Sequence, residues 1–130
     1  MDKVVHFEIT YDDHARAKEF YASAFDWDLT DVPMGGDMVY TTATTVPIDD
    51  RMMPTEPGAI NGGFTSKGAE TPGPVITIGV DSIDDSLKKI EAGGGSVVTP
   101  RTPIPGMGAF AYFKDTEGNT LGLFESNRGE

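Results

Sequence analysis

His6 and Glu125 stand at the outer ends of an internal repeat, and both residue types can hold a metal ion or move a proton. The repeat is visible when Val5-His6-Phe7-Glu8-Ile9 is set beside Ile76-Thr77-Ile78-Gly79-Val80. Each is a short apolar run that leads into an acidic turn, Asp12-Asp13 or Asp81-Ser82, and then into a helix-like stretch. Gly58 to Thr65 likewise aligns with Gly118 to Glu125, placing Gly62 on Gly122 and Phe64 on Phe124. With Glu8 set opposite Thr77, the repeat mate of His6 is Val75, and the second alignment makes Thr65 the mate of Glu125. One pair of equivalent positions thus carries an imidazole and a carboxylate, and the other an aliphatic and a hydroxyl.

Glu8 lies on the same strand face as His6, about 6.6 Å further along. It reads as a third ligand, a general base or a solvated carboxylate. His6 reads as a ligand or as a neutral imidazole hydrogen-bonded within a cleft. Glu125 ends an apolar strand, where an unpaired buried charge is costly. It is therefore expected to face a cleft as ligand or base, to pair with His6, or to lie at the strand end in water. Thr77 occupies the place in the second half that Glu8 holds in the first. Trp27, Tyr40, Phe110 and Tyr112 read as pocket wall or as core. Phe20, Tyr21 and Phe25 read as helix–sheet packing. Met34, Met52, Met53 and Met107 lie in or beside loops rich in Gly and Pro, as lid or anchor.

The elements that must position these residues follow from periodicity. Residues 3–10 alternate as a strand, and Ala17, Phe20, Tyr21 and Ala24 give a helical stripe over 13–24, capped by Asp12 or Asp13. Strands are predicted at 26–31 and 37–45, separated by Met34-Gly35-Gly36, and at 59–66. A proline-bearing loop, 46–57, intervenes. After a Gly/Pro linker the pattern recurs: a strand at 75–80, a helix over 82–92 with Ile83, Leu87 and Ile90 as its stripe, and strands at 96–99, 108–114 and 120–125. Ser82 starts that helix in a capping-box pattern, and Gly93-Gly94-Gly95 stops it. Asp115 to Asn119 is a hairpin signal. The expected order is βαβββ twice in a single domain over 1–130. Module one covers about 1–66, the linker about 67–74 and module two about 75–127.

Composition narrows the function classes. The chain has 130 residues, no cysteine, 21 acidic and 10 basic residues and a formal net charge of -11. Thiolate chemistry and disulfides are excluded. An acidic surface argues against nucleic acid, and no apolar run is long enough for a membrane span. The expected setting is cytoplasmic. The triple glycine follows a helix, so it is no phosphate cradle, and no spacing supports a nucleophilic triad.

Three segments carry a family resemblance: His6-Phe7-Glu8-Ile9; Phe20-Tyr21-Ala22-Ser23-Ala24-Phe25-Asp26-Trp27; and Ile104-Pro105-Gly106-Met107-Gly108 together with Asp115-Thr116-Glu117-Gly118-Asn119. They resemble the vicinal-oxygen-chelate superfamily of glyoxalases, bleomycin-resistance proteins and dioxygenases, and its small stand-alone members above all. The resemblance implies an α+β fold in which two βαβββ modules form an incompletely closed, barrel-like sheet around a cleft, often in a homodimer. It also implies a divalent metal (Zn, Ni, Mn or Fe) held from the first and last strands of each module. Carried over, those positions are His6, Thr65, Val75 and Glu125, an incomplete set that implies weak or absent metal. Two functions remain open. One is glyoxalase-like lyase, isomerase or addition chemistry on a small molecule, with Glu125 or Glu8 as base. The other is metal-free binding of a small ligand, of the bleomycin-resistance type.

Overall fold

The computed structural model describes residues 1–33, 39–51 and 53–126. Met34, Met52 and the expected Met34-Gly35-Gly36 turn lie outside them. Two helices and eight strands appear in the order βαβββ, βαβββ, as the periodicity predicts. They are β1 (Lys3–Tyr11), α1 (His14–Phe25), β2 (Asp28–Pro33), β3 (Val39–Thr44), β4 (Gly62–Ser66), β5 (Val75–Gly79), α2 (Ile83–Ala92), β6 (Ser96–Ile104), β7 (Gly108–Lys114) and β8 (Thr120–Ser126). The chain divides into two compact units, His6–Pro74 and Met1–Val5 with Val75–Glu130.

In the first unit the strand order is β2-β3-β4-β1. β1 runs parallel to β4, with Glu8 opposite Gly63 and Ile9 opposite Phe64. β3 runs antiparallel to β4, with Thr42 opposite Gly63. Asp13 caps α1 by accepting from the Arg16 amide at 3.0 Å. Tyr21 packs on Phe64 and Trp27, with ring centroids 5.4 and 5.1 Å apart. The helical stripe predicts that Phe20 and Phe25 pack beside it. Instead they are 56% and 59% exposed, and their ring contacts are with each other, with Tyr21 and, for Phe25, with Trp27. One ring of the stripe is enough to seat this helix, which buries no residue fully.

In the second unit the order is β5-β8-β7-β6. Here α2 is seated in the ordinary way. Ile83 and Leu87 bury with Ala109, Ala111, Phe113 and Leu123, and Ile78, Ile90 and Leu121 close around them. Ser82 caps the helix through the Asp85 amide, and the Asp115 carboxylate holds the predicted hairpin by accepting from the Glu117 and Asn119 amides. The strand predicted at 96–99 continues to Ile104, through Pro100 and Pro103. β6 tolerates both prolines because it lies at the end of the strand order and its pairing with β7 shifts register twice.

The strand registers correct the internal repeat by one residue. Glu8 of β1 faces Gly63 on β4, and its repeat mate Thr77 of β5 faces Gly122 on β8. Gly63 is therefore the structural mate of Gly122, Phe64 of Leu123, and Ser66 of Glu125. Aligning Phe64 with Phe124 matches identical letters across loops of unequal length. A one-residue slip in a strand moves every side chain to the other face.

Candidate functional site

Alternation along β1 puts Phe7 and Ile9 on one face and His6, Glu8 and Thr10 on the other. Phe7 goes to the α1 side, where its ring lies 5.5 Å from Trp27. Trp27 thus belongs to the helix-side aromatic cluster. On the opposite face, Glu8 is only 8% exposed. Thr65 alternates with Phe64 onto this same face, opposite Thr10.

A third strand completes the cluster. Tyr40 of β3 places its hydroxyl 3.0 Å from His6 Nε2 and donates to Glu8 Oε2 at 3.3 Å. β3 and β1 are not neighbours: β4 lies between them, so their backbones are roughly 10 Å apart. The phenol spans that gap across Gly63. A Cβ at Gly63 would overlap the Tyr40 hydroxyl and ring, so only glycine leaves the passage open. Gly62 serves the other face, where a Cβ would strike the Phe7 carbonyl and ring. Burial pushes the His6 imidazole down from its ordinary value to about 4, so it is neutral at physiological pH.

The other face of β3 carries a second chain of the same kind. His14 Nε2 lies 2.7 Å from the Thr41 hydroxyl, which donates to Asp31 Oδ1 at 2.7 Å, and Lys18 pairs with Asp31 at 3.1 Å. The Thr41 hydroxyl, then Lys18, holds the Asp31 carboxyl below the usual carboxylate range. Sequence patterning leaves His14, Thr41 and Asp31 unmarked, because each looks like an ordinary surface or strand residue until the strands pair.

Glu125 is engaged elsewhere. It follows Leu121 and Leu123 along β8, and Leu123 lies in the α2 core. Glu125 therefore points to the helix side. Its Oε1 accepts from the Ile83 amide at 2.8 Å, and its Oε2 accepts from Arg101 Nε and Nη2 at 3.2 and 2.8 Å. The Arg101 guanidinium, then the Ile83 amide, holds this carboxyl below the usual carboxylate range. The arrangement ties β6, β8 and the N-terminus of α2 together, where a negative charge is favourable. Glu125→Gln is expected to cost about 1–2 kcal/mol in urea unfolding, since it weakens both a helix cap and a charge-assisted pair. Phe110 and Tyr112 alternate with Ala109 and Ala111 onto the face of β7 away from α2, their rings 5.6 Å apart. Thr77, 6% exposed, sits over Gly122 on β8.

The donors present do not fit a divalent metal held from first and last strands. Val75 is buried and apolar. The last-strand residues opposite Glu8 and Thr77 are glycines, and both Glu125 oxygens accept other hydrogen bonds. Among the described residues no three His, Cys, Asp or Glu side chains converge.

An α+β chain of two βαβββ modules has the architecture of a glyoxalase-type protein. The glyoxalase/bleomycin resistance protein/dioxygenase superfamily profile matches residues 3–123, and the chain belongs to that superfamily. A protein of Mycobacterium tuberculosis named CFP32, provisionally a glyoxylase, is 34% identical over 118 residues, covering 89% of this chain and 42% of its own length. The chain thus spans about two fifths of that curated relative. A glyoxylase-like domain-containing protein of Didymella fabae is 31% identical over 118 residues, covering 87% of this chain and 85% of its own. Among solved structures, a Streptomyces coelicolor methylmalonyl-CoA epimerase in complex with 2-nitronate-propionyl-CoA is similar, with a TM-score of 0.64 at 15% identity. The match covers 96% of this chain and 97% of that one. At that identity the likeness concerns the fold.

Proposed function

We propose that this chain is a glyoxalase-like enzyme that moves a proton on a small oxygenated molecule, using the His6–Tyr40–Glu8 cluster and no metal. One observation carries the reading: a carboxylate buried to 8% exposure is hydrogen-bonded by a phenol that also reaches a neutral imidazole. Such a cluster supplies a base and a hydrogen-bond donor side by side, which suits isomerisation, addition or elimination next to a carbonyl. Among the described residues no donor set serves the superfamily's Lewis-acid role, which supports giving the work to the polar side chains. Calorimetric titration with zinc, nickel and manganese is expected to give no tight stoichiometric site. A nanomolar site lost in His6→Ala would restore the metal reading.

The test begins with a thermal-shift screen of α-hydroxy ketones, α-keto acids, acyl thioesters, catechols and cationic antibiotics. Acyl thioesters are included because the Streptomyces coelicolor relative holds an acyl-CoA analogue. A hit is then followed for chemical change with wild type, Tyr40→Phe and Glu8→Gln. Turnover that falls at least a hundredfold in both variants supports the enzyme. A tight ligand recovered unchanged from all three proteins supports the binding reading, which the incomplete metal donors also favour. We further propose a homodimer, the commonest closed assembly. Light scattering that reads a monomer at high micromolar concentration would refute it.

A further inference from the structure

A cleft of about 330 Å³ opens where β1 ends and α1 begins, and none of its lining residues belongs to the His6–Tyr40–Glu8 cluster. That volume is at the lower end of the range for small-molecule sites and suits about one ring with a short polar tail. Backbone contacts tie its walls together. The Lys67 amide donates to the Tyr11 carbonyl at 2.9 Å, which brings the segment after β4 beside the end of β1. Asp13 Oδ1 accepts from the Arg16 amide at 3.0 Å and starts the helix there.

The charges of the lining are matched, with one exception. Lys67 Nζ lies 3.2 Å from Asp12 Oδ2. Asp13 carries its charge at the N-terminus of α1, where the helix dipole favours it. The Arg16 guanidinium has no hydrogen bond and no ion pair among the described residues, in a chain with 21 acidic and 10 basic residues. Its planar fork of N–H groups matches a carboxylate through two parallel bonds. Phe20 follows one helical turn later, so the two side chains leave the helix about 5–6 Å apart. The Phe20 ring makes edge contacts with Tyr21 and Phe25 at 5.0 and 6.3 Å, and the residue is still 56% exposed. An exposed aromatic is ordinary by itself. One that lines a cleft beside an unpaired guanidinium offers a ligand both an apolar surface and a counter-ion.

We propose that this cleft is a second ligand site and takes a small aryl carboxylate, its carboxylate in the Arg16 fork and its ring against Phe20. The net charge of -11 does not forbid an anion here. At physiological ionic strength, exposed charges further away than about 8 Å are largely screened, so the ligand answers mainly to the lining. There Lys67 and Asp12 offset one another, and the helix N-terminus offsets Asp13. An exposed ion pair is weak alone and the ring contact adds to it, for a dissociation constant on the order of a millimolar.

The test is amide NMR of the nitrogen-labelled full chain at neutral pH, titrated with phenylacetate. Saturable shifts are expected at the amides of residues 10–20 and of Lys67, with those of His6, Glu8 and Tyr40 unmoved. Phenylacetamide, a neutral molecule of nearly the same shape, should bind about fivefold more weakly. Arg16→Gln removes the charge but leaves the Asp13 cap, which uses the backbone amide, so the helix should stand while affinity falls about fivefold. Phe20→Leu keeps an apolar side chain without the ring and should weaken binding about threefold. Shifts centred on His6, Glu8 and Tyr40 would put the ligand in the other site and overturn this one. Equal binding of phenylacetamide, tighter binding of phenethylammonium, unchanged affinity in either variant, or no saturable response to phenylacetate would overturn it as well.

Discussion

Gly63→Ala is expected to destabilise the protein by roughly 3 kcal/mol, an unusual cost for adding one methyl group. The Cβ would occupy the space of the Tyr40 hydroxyl and ring. Overpacking alone costs about 1–3 kcal/mol, and the displaced phenol would also withdraw a hydrogen bond from the buried Glu8. The contrast is Gly68→Ala, where nothing lies within 4 Å of the added carbon and φ is ordinary; that change should be nearly silent. Urea unfolding of both variants measures the difference. Tyr40→Phe in the Gly63→Ala background checks the cause: without the hydroxyl part of the clash is gone, so the pair should cost less than the sum of its parts. Simple additivity would mean that Gly63 acts through the backbone and not through the tyrosine.

Acidification should expose the second large effect. The His6 imidazole is pushed down to about 4 in the folded protein, against about 6.5 in an unfolded chain. Between those values the unfolded state binds the extra proton and the native state does not, so stability falls as pH falls. The contribution is fully present above about pH 6.5 and is lost progressively down to about pH 4, on the order of 3 kcal/mol in all. Asp31 and Glu125, whose carboxyls lie below their usual range, act in the same direction but only at lower pH. Of these three groups, His6 is the one that acts above the carboxylate range. Unfolding free energies at half-unit steps from pH 7.5 to pH 5 should show a slope in wild type that is missing in His6→Asn. A flat wild-type profile would show that His6 is solvated after all.

What the sequence made legible follows the range of the interactions. The Ser82 cap, the α2 stripe and the Asp115–Asn119 hairpin are each set by neighbours within a few residues, and the structure keeps them. Tyr40 was visible only as a possible pocket wall. Its link to His6 needs the strand order and the gap at Gly63, which no local pattern contains. Two adjacent glycines inside a strand do signal close backbone or side-chain approach, and they were the available clue. Glu125 is the sharper lesson. Its spacing from Leu121 and Leu123 already puts it on their face, whereas matching Phe64 to Phe124 put it opposite Thr65. Period-two alternation was the stronger of the two signals. The exposed Phe20 and Phe25 show the converse limit: a helical stripe says which residues share a side, not how many of them the sheet covers.

The unit boundary falls within β1, between Val5 and His6, and this has a consequence for how the chain is made. Lys3–Val5 group with residues that follow Val75, and the Val5 methyls lie 3.2 Å from where a Gly79 side chain would begin. During synthesis Lys3–Val5 leave the ribosome well before the surface they complete, which emerges more than half of these 130 residues later. The unit from His6 to Pro74 can condense while translation continues, but the other must wait for its last strands and then recruit Lys3–Val5. Residues 75–126 expressed alone would lack that strip, and adding Met1–Val5 as a separate peptide should help them fold.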